Sequence, residues 1–352
     1  IIINFTHISY LMRLKKLFNK SYYYHFQNNQ SPTHIQLARF MESSGFKRTQ
    51  WLRRANFSEK NLNLAPELCD CLEFKHRLAQ FIQFYCPDVM PETYQFNEYS
   101  WSAILSEIAE MHYKLSNYEF NDSVDSLAWI LKPALLNNGQ HIKIFDKISQ
   151  MESYFLSSKH LGGPHVLQRY IYDPDLIDGR KYSVRMFVVI TQEAGAFLYQ
   201  HGYVNVAKAA YDASNFMHLS AHLTNEHLSH DTNVVQIPTN EVTGYLAWYP
   251  KIREIVKRVT TGLEDAFPYA FTAQKERTFA VFGFDFMIDN QQRAWLLEVN
   301  HGPCFPIEAQ HPLQKSLYHP FWKAMLQQFI LPITTKQSFD KIECAGFEPM
   351  RG

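Results

Sequence analysis

The chain has 352 residues, enough for two or three packed domains with a sizeable core. Lys plus Arg and Asp plus Glu both number 34, so the net charge is zero, which excludes a bulk nucleic-acid or membrane-surface binder with a large cationic excess. Aromatic residues at 15%, with only 13 Gly and 16 Pro, exclude collagenous, low-complexity and broadly disordered chains.

The charge is uneven. Residues 1–60 hold ten Lys/Arg against Glu42 and Glu59, a net of +8, which suits an acidic partner or a solvated face. Gln27 to Pro32 (QNNQSP) reads as a linker, which sets a basic arm (1–31) apart from an N-terminal domain (32–100). The opening IIINFTHISYLMRLKK places its charges after the apolar stretch, the reverse of a secretory signal. No apolar run approaches the roughly 18 residues of a membrane span. Five cysteines without a CxxC pair (Cys69, Cys71, Cys86, Cys304, Cys344) argue against a disulfide framework or structural zinc and for inert thiols in a reducing cytosol.

Further along, Tyr99 to Asn117 has helical spacing, and Ala128 to Leu131 reads as a buried strand stopped by Pro133. Strands are expected over Gly139–Phe145, His165–Ile171 and Tyr182–Thr191, with a helix over Ile148–Ser157. Residues 212–240 read as a long, polar, His-rich loop. A helix over Gly244–Phe267, a strand–turn–strand over Thr278–Asn300 and a closing helix over Leu313–Phe329 follow. Strands and helices interleave without a strict βαβ rhythm, so the class is α+β.

The sharpest physical signal is FAVFGFDFMIDNQQRAWLLEVN, residues 279–300, two apolar runs around a turn cluster at Asp289 to Gln292. Phe282, Phe284, Phe286 and Ile288 share one face of the first strand, leaving Gly283, Asp285 and Met287 on the other. On the second strand Trp295, Leu297 and Val299 share a face, leaving Leu296, Glu298 and Asn300 together. A four-residue loop at 290–293 pairs Asp289 with Ala294 and sets Asp285 opposite Glu298. Facing carboxylates repel unless a cation bridges them, and Mg²⁺, which takes few protein oxygens, is the natural bridge, with Asn300 as a third donor. Spacing alone leaves both a metal site and a solvated acidic face open.

This hairpin resembles the closing hairpin of the tubulin–tyrosine ligase family, a branch of the ATP-grasp ligases. WILKPA (129–134), VLQRYIYDPDLI (166–177), GRKYSVRMFVVI (179–190) and SNFMHLSAHLTN (214–225) match in the same order. The resemblance implies an ATP-grasp fold with N-terminal, central (101–176) and C-terminal (177–335) domains, a tail at 336–352, and nucleotide held between two sheets. It also implies phosphorylation of an acceptor carboxylate by ATP to an acyl phosphate, which an amino acid's amine then converts to an amide. On the matching positions, Asp285, Glu298 and Asn300 would hold Mg²⁺ and Lys132 would reach the α/β phosphates. Gln168, Arg169 and Tyr170 would form the adenine hinge, with Leu297 on the ring. His222, Thr224 and Asn225 would approach the ribose and phosphates, and Lys181 and Arg185 would bracket the reacting anions. The implied partners are a free amino acid and an acidic protein acceptor such as a tubulin tail, for a cytoplasmic monomer with no nucleic-acid or membrane partner.

Three positions depart from the family pattern. The glycine-rich flap is reduced to Asn138-Gly139-Gln140-His141, a carboxylate is replaced by Ser183, and an arginine by Asn205, with Lys208 close by. Two other functions stay open at this point: a catalytically weak nucleotide- or partner-binding protein, and an ATP-grasp ligase acting on a small molecule or peptide.

Overall fold

The longest uninterrupted apolar alternation in the chain forms its central strands. The computed structural model describes residues 21–27, 31–117, 128–136, 139–158, 160–224, 235–274, 276–308, 310–339 and 346–351. Its strands, in chain order, are β1 (Tyr23–His25), β2 (Lys47–Arg48), β3 (Phe57–Ser58), β4 (Thr93–Phe96), β5 (Trp129–Pro133), β6 (Lys143–Phe145), β7 (His165–Arg169) and β8 (Leu176–Ile177). They continue with β9 (Arg180–Thr191), β10 (Gly195–Tyr199), β11 (Tyr203–Val206), β12 (Val235–Pro238), β13 (Phe279–Ile288), β14 (Ala294–His301) and β15 (Phe347–Pro349). Three sheets result: β2-β1-β3, β4-β7-β5-β6, and an eight-stranded sheet built around β9.

In the large sheet β13 runs antiparallel along eight residues of β9 and carries β14 on its far side. The other flank of β9 is divided between β11 (Tyr182 to Arg185) and β10 (Val188 to Thr191). Val184, Met186, Val188 and Ile190 of β9 pack with Phe282, Phe284 and Phe286 of β13 onto Ile252, Val256 and Val259 of the helix Tyr245–Ala266. Burying each such phenylalanine contributes about 1.5–3 kcal/mol. The opposite face of β9 changes character along its length. Phe187 and Val189 pack on Phe321 and Phe329 of the helical run from Gln314 to Thr335, whereas Lys181, Ser183 and Arg185 sit where that cover ends.

The four-stranded sheet is antiparallel, with β7 between β4 and β5. Trp129, Leu131, Leu167 and Phe155 form its own core beneath the helices Trp101–Asn117 and Ile148–Leu156. Both class and element order match the α+β expectation.

Several boundaries differ. Tyr23–His25, which composition places in the basic arm, pairs in parallel with β2 and β3, because Tyr24 and Phe57 bury together against Leu37 and Met41 of the helix Pro32–Ser43. The tail contributes β15, paired with β10. The strand expected from Gly139 begins only at Lys143, since Gly139 (φ 70°) and His141 (φ 56°) adopt left-handed turn conformations. The closing helix extends past Phe329 to Thr335, with wide turns at Gln314–Tyr318 and Leu326–Ile330. Each wide turn precedes a proline, Pro320 or Pro332, whose missing N–H and bulky ring disfavour an ordinary α-turn. Residues 212–240 contain the short helix Leu219–His222 and strand β12, and residues 225–234 lie outside the described residues.

Candidate functional site

Asp285 stands opposite Glu298 in the β13–β14 ladder, as the spacing predicts. The tip differs. Ile288, not Asp289, pairs with Ala294, so the connection is one residue longer, and a bulge between Asp285 and Phe286 restores the register. Leu297 is the extra residue. As a result Leu296 and Val299 both enter the core while Leu297 turns to the cavity, which corrects the faces read from simple alternation. Asp289 organises the longer tip by accepting from the Gln291 and Arg293 amides and from Trp295 Nε1 (2.9 Å).

Across the large sheet the site is a row of two carboxylates, a guanidinium and a phenol. Glu298 faces Asp285, Asp285 faces Arg185 and Arg185 faces Tyr203, one residue from each of four adjacent strands. Arg185 Nε donates to Asp285 Oδ1 (2.6 Å) and its Nη2 to Oδ2. Asn300 Nδ2 donates to Asp285 Oδ2 (3.1 Å) and reaches Glu298 Oε1 (3.5 Å). The next row is neutral: Gln236 Nε2 donates to Asn205 Oδ1 (2.8 Å), and Asn205 lies opposite Ser183. Ser183 Oγ in turn lies 2.7 Å from Thr224 Oγ1. Two departures from the family pattern, the missing carboxylate and the missing arginine, therefore fall on cross-strand neighbours.

The four-stranded sheet closes the cavity from the other side. Lys132 Nζ donates to Gln168 Oε1 (2.8 Å), and Gln168 Nε2 to Thr93 Oγ1 (3.1 Å). Tyr170 packs its ring 3.9 Å from Lys181 Nζ and shares a 2.7 Å hydrogen bond with His222 Nδ1, whose Nε2 meets the Asn215 carbonyl oxygen (3.0 Å). The cavity between the sheets is lined by Lys132, Gln168, Arg169, Tyr170, Lys181, Ser183, His222, Thr224, Asp285, Leu297 and Glu298. Asn300 and Arg185 join it through Asp285, and Asn225 lies outside the described residues.

Local spacing does not reveal Lys75. At the start of the helix Lys75–Tyr85, its ammonium donates to the Leu136 carbonyl oxygen (2.8 Å) and lies 3.6 Å from Glu298. The only signal in its neighbourhood is a lysine at a helix N-terminus, where a cation is electrostatically unfavourable unless an anion holds it.

Electrostatics set the chemistry. Burial pushes Lys132 down to about 8 and Lys181 well below its ordinary value, Lys181 further because Lys132 is near. Burial raises Asp285 against the opposing pull of Arg185. At Glu298 burial also pushes upward, but Lys75 and Lys132 overcome it and hold the carboxylate low. Lys181 has no carboxylate partner among the described residues, and a buried ammonium without one is costly. An anion in the cavity would remove that cost. For a metal, the arrangement offers two facing carboxylates, whose oxygens suit a hard cation; Asn300 presents its Nδ2 to both and would supply its amide oxygen only on turning over. Among the described residues no three His, Cys, Asp or Glu side chains gather as a metal cluster, so a metal here would rest on the two carboxylates and the Asn300 amide.

The free volume between the sheets is about 70 Å³, below the few hundred typical of ligand sites, so a nucleotide-sized ligand would require the two sheets to part. A larger cleft of about 880 Å³ lies along β4 and the segment after β7, but its carboxylates (Asp88, Glu92, Glu107, Asp173, Asp289) outnumber Arg169 and Arg293 and would repel a polyphosphate.

A profile of the Tubulin-tyrosine ligase family matches residues 28–338. The chain belongs to this family. Its relatives include a probable tubulin polyglutamylase of Homo sapiens, 28% identical over 202 residues (51% of this chain, 32% of the relative). A probable tubulin polyglutamylase of Caenorhabditis elegans is 24% identical over 264 residues (69% and 61%), and a tubulin glycylase of Tetrahymena thermophila 25% over 238 residues (58% and 16%). The chain thus spans between 16 and 61% of the length of these three relatives. Within the family match lie all four strands of the charged row. Among the described residues no helix is long and apolar enough to cross a membrane. Cys69 and Cys71 are buried and pushed up to about 12 by that burial, consistent with inert thiols; Cys304 is exposed and Cys344 lies outside the described residues.

Proposed function

We propose that the protein is an ATP- and Mg²⁺-dependent ligase that joins an amino acid to a carboxylate of an acidic acceptor, with tubulin as the favoured acceptor. The observation that carries this is the cationic cavity between two sheets: Lys75, Lys132, Lys181 and Arg185 against Asp285 and Glu298. That excess suits a polyphosphate and a carboxylate together. The relatives' names supply the acceptor and two candidate co-substrates, glutamate and glycine.

In this reading the large sheet is the C-terminal ATP-grasp domain and the four-stranded sheet the central one, with ATP between them. Gln168, Arg169 and Tyr170 form the adenine edge, Leu297 packs on the ring, and His222, Thr224 and Asn225 face the sugar and phosphates. Lys132 and Lys181 bind the phosphate chain as ammonium ions, the form that a neighbouring anion favours. Asp285, Glu298 and Asn300 would hold Mg²⁺, which when bound neutralises charge on the transferring phosphoryl group. Arg185 orients the acceptor carboxylate or the phosphoryl oxygens with its fork of donors. Transfer of the γ-phosphoryl to the acceptor carboxylate gives an acyl phosphate and ADP. Attack by the amine then forms the amide and releases phosphate. The basic segment 1–60 attracts the acidic acceptor, and the protein works as a cytoplasmic monomer.

A second reading, a nucleotide-holding protein without turnover, is favoured by one observation: the neutral Ser183–Asn205 row beside the reacting centre. Phosphate release with ATP and Mg²⁺, with each amino acid in turn and with or without tubulin, separates the two. Release requiring both one amino acid and tubulin establishes the ligase. ATP binding without release under any combination overturns it in favour of the second reading.

A further inference from the structure

Arg185 occupies the carboxylate that the proposed function gives to the metal. Its guanidinium spans both oxygens of Asp285, and Asn300 takes a further contact on Oδ2, so the acceptor capacity of Asp285 toward the cavity is largely taken up within the protein. Both side chains are buried, at 13 and 9% exposure, so water does not screen the pair. Lys75 plays the corresponding part at Glu298, but it is tethered to the Leu136 carbonyl and stands farther off, at 3.6 Å. Among the described residues Arg185 has no such backbone tether; besides Asp285 it hydrogen-bonds Tyr203, its cross-strand neighbour. Its stem crosses β13 at Gly283, where an added Cβ would lie 3.0 Å from Arg185 Cδ and 3.2 Å from Nε. The glycine leaves the channel in which that side chain lies.

A divalent cation and a guanidinium cannot share one carboxylate cheaply in a low-dielectric site, because the two cations repel with little screening. Resting on the metal assignment above, we propose that Arg185 is the resident counter-cation of the metal site, and that metal loading on Asp285 and Glu298 displaces it toward the substrates. Binding of metal and release of Arg185 are then one event. The guanidinium becomes free to grip phosphoryl or carboxylate oxygens only once the metal is in place, and the metal-free protein holds its own site shut. Metal alone binds weakly because it has to break the Arg185 pair. Metal arriving with nucleotide binds more tightly, since the phosphate oxygens accept the released guanidinium.

The test is titration of the full chain with Mn²⁺ alone, reading free Mn²⁺ by electron paramagnetic resonance, followed by the same titration with ATP. Arg185→Gln is expected to tighten nucleotide-free Mn²⁺ binding by about tenfold or more, consistent with the cost of breaking a buried ion pair. Gly283→Ala, which crowds the Arg185 stem while keeping every charged group, is expected to move affinity the same way and answers the question if Arg185→Gln fails to fold. With ATP present, the gap between wild type and the variants narrows or reverses. Equal nucleotide-free affinity in all three proteins, with ATP-dependent Mn²⁺ binding intact, overturns the displacement and leaves the metal assignment standing. No Mn²⁺ binding in any of them, even with ATP, overturns the metal assignment and the displacement together.

Discussion

The two sheets that bound the cavity are built on different terms. β13 is buried at every one of its ten positions and is clamped between helices on one side and strands on both flanks. The four-stranded sheet has a small core of its own around Trp129 and faces the large sheet across a cavity lined by apolar groups such as Ile130, Ile171, Met287 and Leu297 as well as polar ones. The paired groups Asp285, Glu298 and Arg185 all stand on the large sheet. Lys132 and Gln168, which line the cavity from the other side, stand on the smaller one. A strand buried throughout carries Asp285, and a wall with its own small core faces it across the cavity.

The most severe way to break this division is Asp285→Ala. It leaves Arg185 buried without its partner, so a loss of about 3–5 kcal/mol is expected with complete loss of phosphate release, read by denaturant unfolding and by the phosphate assay. Phe284→Ala and Trp129→Ala each cost about 3–5 kcal/mol where they act, but should act differently. Phe284→Ala lowers global stability. Trp129→Ala loosens only the four-stranded sheet, seen as faster amide exchange in β5 and β7 with protection in β9 and β13 unchanged. Equal loss of protection in both sheets would show that they unfold as one unit.

A smaller effect concerns protons. In the proposed ligase Lys132, pushed down to about 8 in the free protein, would bind phosphate as the ammonium. Raising the pH through 8 removes that proton, so ATP affinity should fall between pH 7 and 9, with proton uptake on binding in the upper part of that range. Lys132→Gln should weaken ATP binding by about tenfold and flatten the dependence, as seen by calorimetry in two buffers of different ionisation enthalpy. A pH dependence unchanged in Lys132→Gln would place the titrating group elsewhere. The mildest change, Ser183→Ala, removes one hydroxyl from the Thr224 contact and should cost about 1 kcal/mol of stability. A larger cost would mean that the neutral row is structural rather than a lining of the site.

How much of this was legible in the sequence follows from how local each signal is. The acidic hairpin was legible because alternation along one strand and turn residues at its end are local, and the opposition of Asp285 and Glu298 followed from counting. The bulge was not, since the extra residue at Leu297 is determined by which of three consecutive apolar residues the core accepts. Lys75 was invisible because its partner lies more than two hundred positions away and its own neighbourhood carries no pattern. β1 was hidden for a related reason: a three-residue strand in a parallel pairing is held by distant side chains, not by its own periodicity.

The bulge also decides which changes the hairpin tolerates. Its tip is pinned to the segment after β7 by the Pro174–Asp289 bridge and by two backbone hydrogen bonds, Asp175 N to Ile288 O and Asn290 N to Asp173 O. Below the bulge, the carboxylates keep a separate register set by β9. The irregularity therefore insulates the charged row from the turn. Lengthening or shortening residues 290–292 should alter how the hairpin grips its neighbour while Asp285 and Glu298 remain face to face, which makes this tip a place where homologous chains can drift in length without disturbing their chemistry.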